Sequence, residues 1–210
     1  MTYTLYGDKG SGAFCVEAAL AEAGAPYEFK TISLEKNEQK SPAFLTINPS
    51  GKIPALKLSS GGIVTETAAL LLTVAERHPQ AALLPPPATA ERAQALRWIA
   101  FMASEIYPMV EIADYPERFV PAGAEAEALK LKARDRIRAR MLTVEQAVAG
   151  PWLLASGFSA VDIYAAMFSR WRECRSEGWR EERVPKICAI AAALSRRPAI
   201  APVWSKHFAN

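Results

Sequence analysis

A chain of 210 residues can hold one large domain or two small ones and can easily bury a core. Half of the residues are hydrophobic and the net charge is only +3, a balance that singles out neither nucleic acid nor an anionic membrane as a partner. Cys15, Cys174 and Cys188 are odd in number, widely spaced and form no CxxC; with only His78 and His207 to join them, both a disulfide framework and a zinc site are disfavoured. The start, Met1-Thr2-Tyr3-Thr4, lacks a charged signal-type region, and no apolar run is long enough to span a bilayer. The expected location is the cytoplasm.

In chain order, Tyr3–Tyr6 is a short aromatic-rich strand candidate, followed by the flexible turn Gly7-Asp8-Lys9-Gly10-Ser11-Gly12. Ala13–Ala23 reads as an alanine-rich helix closed by Gly24 at its C′ position, and Tyr27–Ile32 returns as a strand, completing a β-α-β unit. Lys36–Ser41 is a charged loop and Pro42–Ile47 a short irregular helix. The next strand, Ala55–Leu58, is introduced by Pro54, which belongs at a strand start or edge because it donates nothing to a sheet ladder. Gly61-Gly62 turns the chain into a second apolar run, Ile63-Val64, and Thr65-Glu66-Thr67 hands over to a helix through Arg77. Polar side chains and free N–H groups at that helix start would make a carboxylate-binding corner. A cis Ile53-Pro54 bond would aim the Ile53 backbone away from the sheet.

Leu84-Pro85-Pro86-Pro87-Ala88 is the clearest linker. Beyond it helical spacing dominates: Leu96, Ile99, Met102 and Ile106 recur at three- and four-residue intervals, and Pro108 should end or kink that helix. A long helix follows over about Ala124–Val148, stopped by Gly150-Pro151, and another runs over Pro185–Ser195. In Gly157–Ile163, Ser159 can cap a helix while Asp162 reaches back, with Phe158 and Ile163 as a hydrophobic staple; the capping role accounts for Asp162 without catalysis. The basic run from Lys130 to Arg140 reads as a solvated helix face rather than a nucleic-acid surface. The expected architecture is therefore an α/β domain over residues 1–83, a linker at 84–89 and an all-α domain over 90–210.

With these pieces placed, the chain resembles the cytosolic glutathione S-transferases, in which a thioredoxin-like domain precedes a helical one. Asn48-Pro49-Ser50-Gly51-Lys52-Ile53-Pro54-Ala55-Leu56 is similar to the family's NPxGxVPxL segment with its cis-proline. Thr65-Glu66-Thr67 matches the element that holds the γ-glutamyl end of glutathione, and Gly157–Asp162 matches the family's capping box. The resemblance implies that Ile53, before Pro54, offers its backbone to the cysteinyl part of glutathione. Glu66 would bind the ammonium, Thr67 the γ-glutamyl carboxylate, and Lys52 and Lys36 the glycine carboxylate.

The resemblance also poses the catalytic question. Glutathione's thiol reacts as its thiolate, so a donor must face the sulfur. In the bacterial class that uses cysteine, the catalytic residue stands at the position of Ser11; this chain departs from that class and is closer to the serine-type members of the beta/theta-like group. Ser11 implies conjugation, and a plain helix cap is its structural alternative. Tyr6, at the end of the first strand, is a second candidate donor. Cys15, one turn into the helix, is a third, although a small packed hydrophobe explains it as well. The functional expectation is a cytoplasmic, homodimeric transferase that uses glutathione as co-substrate on small hydrophobic electrophiles and needs no metal, membrane or nucleic acid. A glutathione-dependent thiol-transferase or peroxidase using Cys15, and a non-catalytic binding module of the same fold, are the alternatives.

Overall fold

A computed structural model describes residues 2–208. It divides into two compact units: one runs through Leu84 and takes in the chain again from Ala192, and the other spans Pro85–Ala191.

The first unit is built on a four-stranded mixed sheet. Its strands are β1 (Tyr3–Gly7), β2 (Tyr27–Thr31), β3 (Ala55–Lys57) and β4 (Ile63–Thr65), in the spatial order β2-β1-β3-β4. β1 pairs parallel with β2 and antiparallel with β3, and β3 pairs antiparallel with β4. Tyr3, Leu5 and Gly7 alternate inward along β1. That face is covered by α1 (Ala13–Glu22) and α3 (Thr67–Arg77), which pack on each other. On the other face Tyr6 meets Phe44 of α2 (Pro42–Leu45), edge to face at 6.3 Å between ring centroids.

Local chemistry explains these boundaries. α1 ends in a Schellman motif: Gly24 adopts φ +61, its N–H donates to the Ala21 carbonyl, and the Ala25 N–H donates to that of Leu20. Gly7 is set by crowding, because a Cβ there would stand 2.2 Å from the Cβ of Ala13. Only glycine lets the end of β1 and the start of α1 approach so closely.

Every regular element among the described residues of the second unit is a helix, apart from an isolated bridge between Leu154 and Gly157. It begins with α4 (Ala90–Phe101), capped by the Thr89 hydroxyl, which accepts from the Arg92 N–H. α4 continues through a π-helical turn, Met102–Ile106, into α5 (Tyr107–Asp114). Pro108 therefore does not end the helix. It lacks the N–H that would reach back to Ser104, and the chain widens by one residue ahead of it, with the Tyr107 N–H donating to the Met102 carbonyl. The long α6 (Ala124–Ala147) carries the basic run: Arg136 and Arg140 reach Glu105 at 3.0 and 2.9 Å, and Arg138 donates to the Glu173 carbonyl and the Ser176 hydroxyl.

α7 (Ala160–Arg170) is buried on every side from Ala160 to Ser169, which makes it the axis of this unit. It starts with the expected capping box, and the Asp162 carboxylate also accepts from the Leu153 N–H at 2.7 Å. After it come α8 (Arg172–Arg175), α9 (Trp179–Arg183) and α10 (Pro185–Leu194). Glu145 of α6 caps α10 from outside, its two oxygens accepting the Lys186 and Ile187 N–H groups at 2.9 Å each. The last helix, α11 (Ala201–Phe208), belongs to the first unit and has no counterpart among the sequence-based expectations: eight residues with Pro202 in the first turn carry little periodic signal.

Burial pushes the Asp162 carboxyl up to about 6, against the N–H donors from Leu153 and Ser159 that pull it down. A carboxyl raised in the fold above its ordinary value contributes stability that is full at low pH and is lost as pH rises through the folded value. In urea titrations, the stability of the wild type relative to Asp162→Asn should therefore fall by up to about 3 kcal/mol between pH 4 and 7, at about 1.4 kcal/mol for each tenfold difference in proton affinity between the folded and unfolded chain. A difference that stays flat or grows across that range would contradict this reading of Asp162.

Candidate functional site

Three segments converge at one end of the sheet, and the strand register is the reason. Tyr6 of β1 stands opposite Ala55 of β3, and Ala55 stands opposite Thr65 of β4. The chain leaving β1 through Gly7, the chain entering β3 through Ile53-Pro54, and the chain leaving β4 through Glu66 therefore lie side by side.

The first segment, Asp8–Gly12, is a turn folded around Asp8. The Asp8 carboxylate accepts the N–H groups of Lys9 and Leu34 at 2.9 and 2.8 Å, and its carbonyl accepts the Ser11 hydroxyl at 2.7 Å. The Ser11 oxygen in turn accepts from the Ala13 N–H at 3.2 Å, at the start of α1. Ser11 is half-buried, and its hydroxyl acts as a cap does at the start of α1.

The second segment is organised by Asn48, a buried residue. Its amide nitrogen donates to the Lys52 carbonyl at 2.6 Å, while its oxygen accepts from the Ser50 N–H and hydroxyl at 3.1 and 2.8 Å. This closes the loop that delivers Ile53. The Ile53-Pro54 bond is cis. Neither the N–H nor the C=O of Ile53 has a hydrogen-bond partner among the described residues. A short backbone edge thus stands open for pairing with an extended ligand.

In the third segment Glu66 adopts φ 69 and ψ 111, an unusual conformation for a side chain with a Cβ. Such a residue costs about 1–3 kcal/mol and persists where its surroundings fix it, often at a binding site. The Glu66 side chain is exposed, whereas Thr67 is buried and opens α3. The Thr67 N–H and hydroxyl have no partner among the described residues, which leaves donors at the positive end of an eleven-residue helix.

The remaining expected residues divide. Lys52 and Lys36 are both exposed, Lys52 within the Asn48 loop and Lys36 out on the turn after β2. Tyr6 is half-buried, with its ring on Phe44. Cys15 is completely buried, and desolvation holds its thiol well above the ordinary value, the opposite of what a reactive thiolate requires. Two residues passed over in the sequence are Asp8, which folds the Ser11 turn, and Asn48, which folds the Ile53 loop. Both are Asx residues in turn segments, Asp8 directly after Gly7 and Asn48 three residues before Gly51, and that turn chemistry is the available signal. Among the described residues no group of three or more His, Cys, Asp or Glu side chains is placed to hold a metal.

Comparison with known proteins gives a consistent picture. Residues 1–76 match the family model for the glutathione S-transferase N-terminal domain. The chain is 31% identical over 205 residues to an uncharacterized GST-like protein, YncG, of Escherichia coli K12, covering 97% of each. It is 23% identical over 202 residues to the glutathione S-transferase GstA of Escherichia coli O157:H7, covering 93% of this chain and 94% of that one. Among solved structures, a glutathione transferase homologue from Sulfitobacter with bound glutathione superposes with a TM-score of 0.89 at 30% identity, covering 99% of both chains.

The cysteines give a direct check on the site. Cys15 and Cys174 are buried, Cys174 with its thiol pushed up to about 12, whereas Cys188 is half-buried. A thiol-reactive chromogen should label Cys188 first in the native protein and reach the other two only after denaturant is added. Rapid native labelling of Cys15, read by peptide mass, would reopen a redox role for it.

Proposed function

The chain belongs to the glutathione S-transferase family, and on that premise we propose that it conjugates glutathione to small hydrophobic electrophiles, with Ser11 stabilising the thiolate. The observation that carries this reading is the Tyr6–Ala55–Thr65 register, because it gathers an open backbone edge, an open helix start and a hydroxyl turn.

In this reading the extended tripeptide pairs its cysteinyl backbone with Ile53 beside Pro54. The Glu66 carboxylate takes the γ-glutamyl ammonium, and the Thr67 N–H and hydroxyl take the carboxylate. Lys52 and Lys36 supply positive charge towards the glycine end. Ser11 then exchanges acceptors. Its hydroxyl, donated to the Asp8 carbonyl at 2.7 Å, turns to the sulfur. The exchange is favourable because a hydrogen bond to an anion contributes about 1.5–3 kcal/mol, against about 1 for a neutral pair. The thiol proton passes to solvent, and the stabilised thiolate attacks an electrophilic carbon: the carbon–sulfur bond forms as the bond to that carbon's leaving group breaks and the group departs with its electron pair, or, at an activated double bond, as the π pair shifts to the neighbouring atom and takes a proton from solvent. Burial of Cys15 supports conjugation over thiol transfer.

The same proposal includes residues 1–83 as the glutathione-binding domain, 84–89 as the linker, and a cytoplasmic homodimer as the working form. No helix among the described residues is long and apolar enough to cross a membrane.

Turnover and binding separate the roles. Ser11→Ala should lower turnover by about ten- to a thousand-fold, as expected for the loss of one donor to a developing anion, with little change in glutathione affinity. Unchanged turnover would move the role to Tyr6 or the backbone. Glu66→Ala should weaken glutathione binding by about tenfold or more, in keeping with a lost charge-assisted hydrogen bond. Conjugation kinetics on the three proteins check the turnover and calorimetry the glutathione affinity, and absence of any heat with the wild type would favour a binding module for other ligands.

A further inference from the structure

The turn that carries Ser11 is held from behind by the end of the chain. His207 of α11 is buried, with no side-chain exposure, and its Nδ1 lies 3.1 Å from the Gly10 nitrogen. A backbone N–H can only donate, so Nδ1 is the acceptor; the ring proton then sits on Nε2, which donates to the Glu17 carboxylate at 2.7 Å. Glu17 is fixed in turn. It accepts from Lys206 Nζ at 2.7 and 2.9 Å and from the Tyr27 hydroxyl at 3.1 Å. These hydrogen bonds to His207 and Lys206 outweigh its burial and keep the carboxyl below its usual range. The imidazole lies edge to face against Phe14 and Phe29, with centroids 5.6 and 6.0 Å away, so its orientation is settled by packing as well as by hydrogen bonds.

We propose that His207 is a positioning residue: by accepting the Gly10 N–H it fixes the turn so that the Ser11 hydroxyl meets the glutathione sulfur, and Glu17 holds its ring in the tautomer that can do so. The inference rests on the reading of Ser11 as the thiolate donor. His207 itself touches no reacting atom. Its effect is geometric: Gly10 immediately precedes Ser11, and Asp8 clamps the other side of the same turn through the Leu34 N–H at 2.8 Å. Removing that acceptor takes away one of the turn's two described side-chain anchors, and a donor misplaced by about 1 Å can lose about a hundredfold in rate.

Three variants divide the ring's two contacts. His207→Asn puts an amide oxygen near the place of Nδ1 and keeps an acceptor for Gly10. His207→Gln reaches Glu17 but not Gly10, and His207→Phe keeps the aromatic packing with neither hydrogen bond. The measurements are steady-state kinetics and the thiol pKa of bound glutathione, read from the ultraviolet absorption of the thiolate. His207→Gln and His207→Phe should lose about 10- to 100-fold in kcat with KM for glutathione within about threefold, and the bound thiol should titrate higher. His207→Asn should recover most of the loss, and His207→Phe should add little in a Ser11→Ala background, since the two changes act through one hydroxyl. If His207→Phe does not fold, His207→Gln against His207→Asn makes the same comparison.

Wild-type kcat and thiolate titration in His207→Gln or His207→Phe overturn the inference while leaving the Ser11 reading intact. So does a His207→Asn variant that falls as far as the others, with kcat, KM and melting temperature all shifted together. Failure of the unaltered protein to bind glutathione instead removes the Ser11 reading, and the inference with it.

Discussion

The register of β1 against β3 and β4 is the constraint on which the rest depends. Side chains alternate along a strand, so a one-residue slip would turn Leu5 outward and Tyr6 inward and would separate the three chain ends of the candidate site. Several features oppose such a slip. Gly7 fits only where Ala13 crosses it, Tyr3 reaches His78 at the end of α3 at 3.0 Å, and the Gly61-Gly62 turn fixes β4 on β3. The site is a by-product of a sheet that can pair in only one way.

Around that sheet the first unit uses charge sparingly but deeply. Glu17 is nearly inaccessible, and burying a carboxylate is costly unless it is paired and hydrogen-bonded. Here Lys206, His207 and Tyr27 supply the partners, and Arg197 pairs with Glu22 one turn further along α1. Such clusters add little net stability compared with apolar packing of the same volume. What they add is placement, since removing any member leaves another unpaired. α11 is thereby tied to α1, the helix into which the Ser11 turn leads.

The helical unit solves a similar problem with two carboxylates used as caps. Asp162 closes the start of α7, and Glu145 closes the start of α10 from across the unit. Each satisfies N–H groups that would otherwise be buried without partners. The aromatic group Tyr107, Tyr164, Phe168 and Trp171 then fills the space beside α7, with ring centroids between 5.0 and 6.3 Å apart.

Features that depend on neighbours in sequence were legible from the chain alone. The Gly24 stop, the Gly61-Gly62 hairpin, the Ser159–Asp162 capping box and the order of elements in the first unit follow from backbone and capping chemistry acting over a few residues. The proline-led strand after Gly51 and the polar helix start at Thr65–Thr67 are legible for the same reason, whereas their link to glutathione comes from the resemblance of Asn48–Leu56 and Thr65–Thr67 to family motifs. Contacts between residues far apart in the chain were decided by the tertiary structure. Burial of Cys15 depends on the elements packed around α1, the continuation of the helix past Pro108 on a π turn, and the assignment of α11 to the first unit on contacts such as the ion pairs Arg197–Glu22 and Lys206–Glu17, which span 175 and 189 positions. No local pattern marks His207 as a partner of Gly10. Only a folded chain, in which a buried imidazole must find both a donor and an acceptor, brings them together.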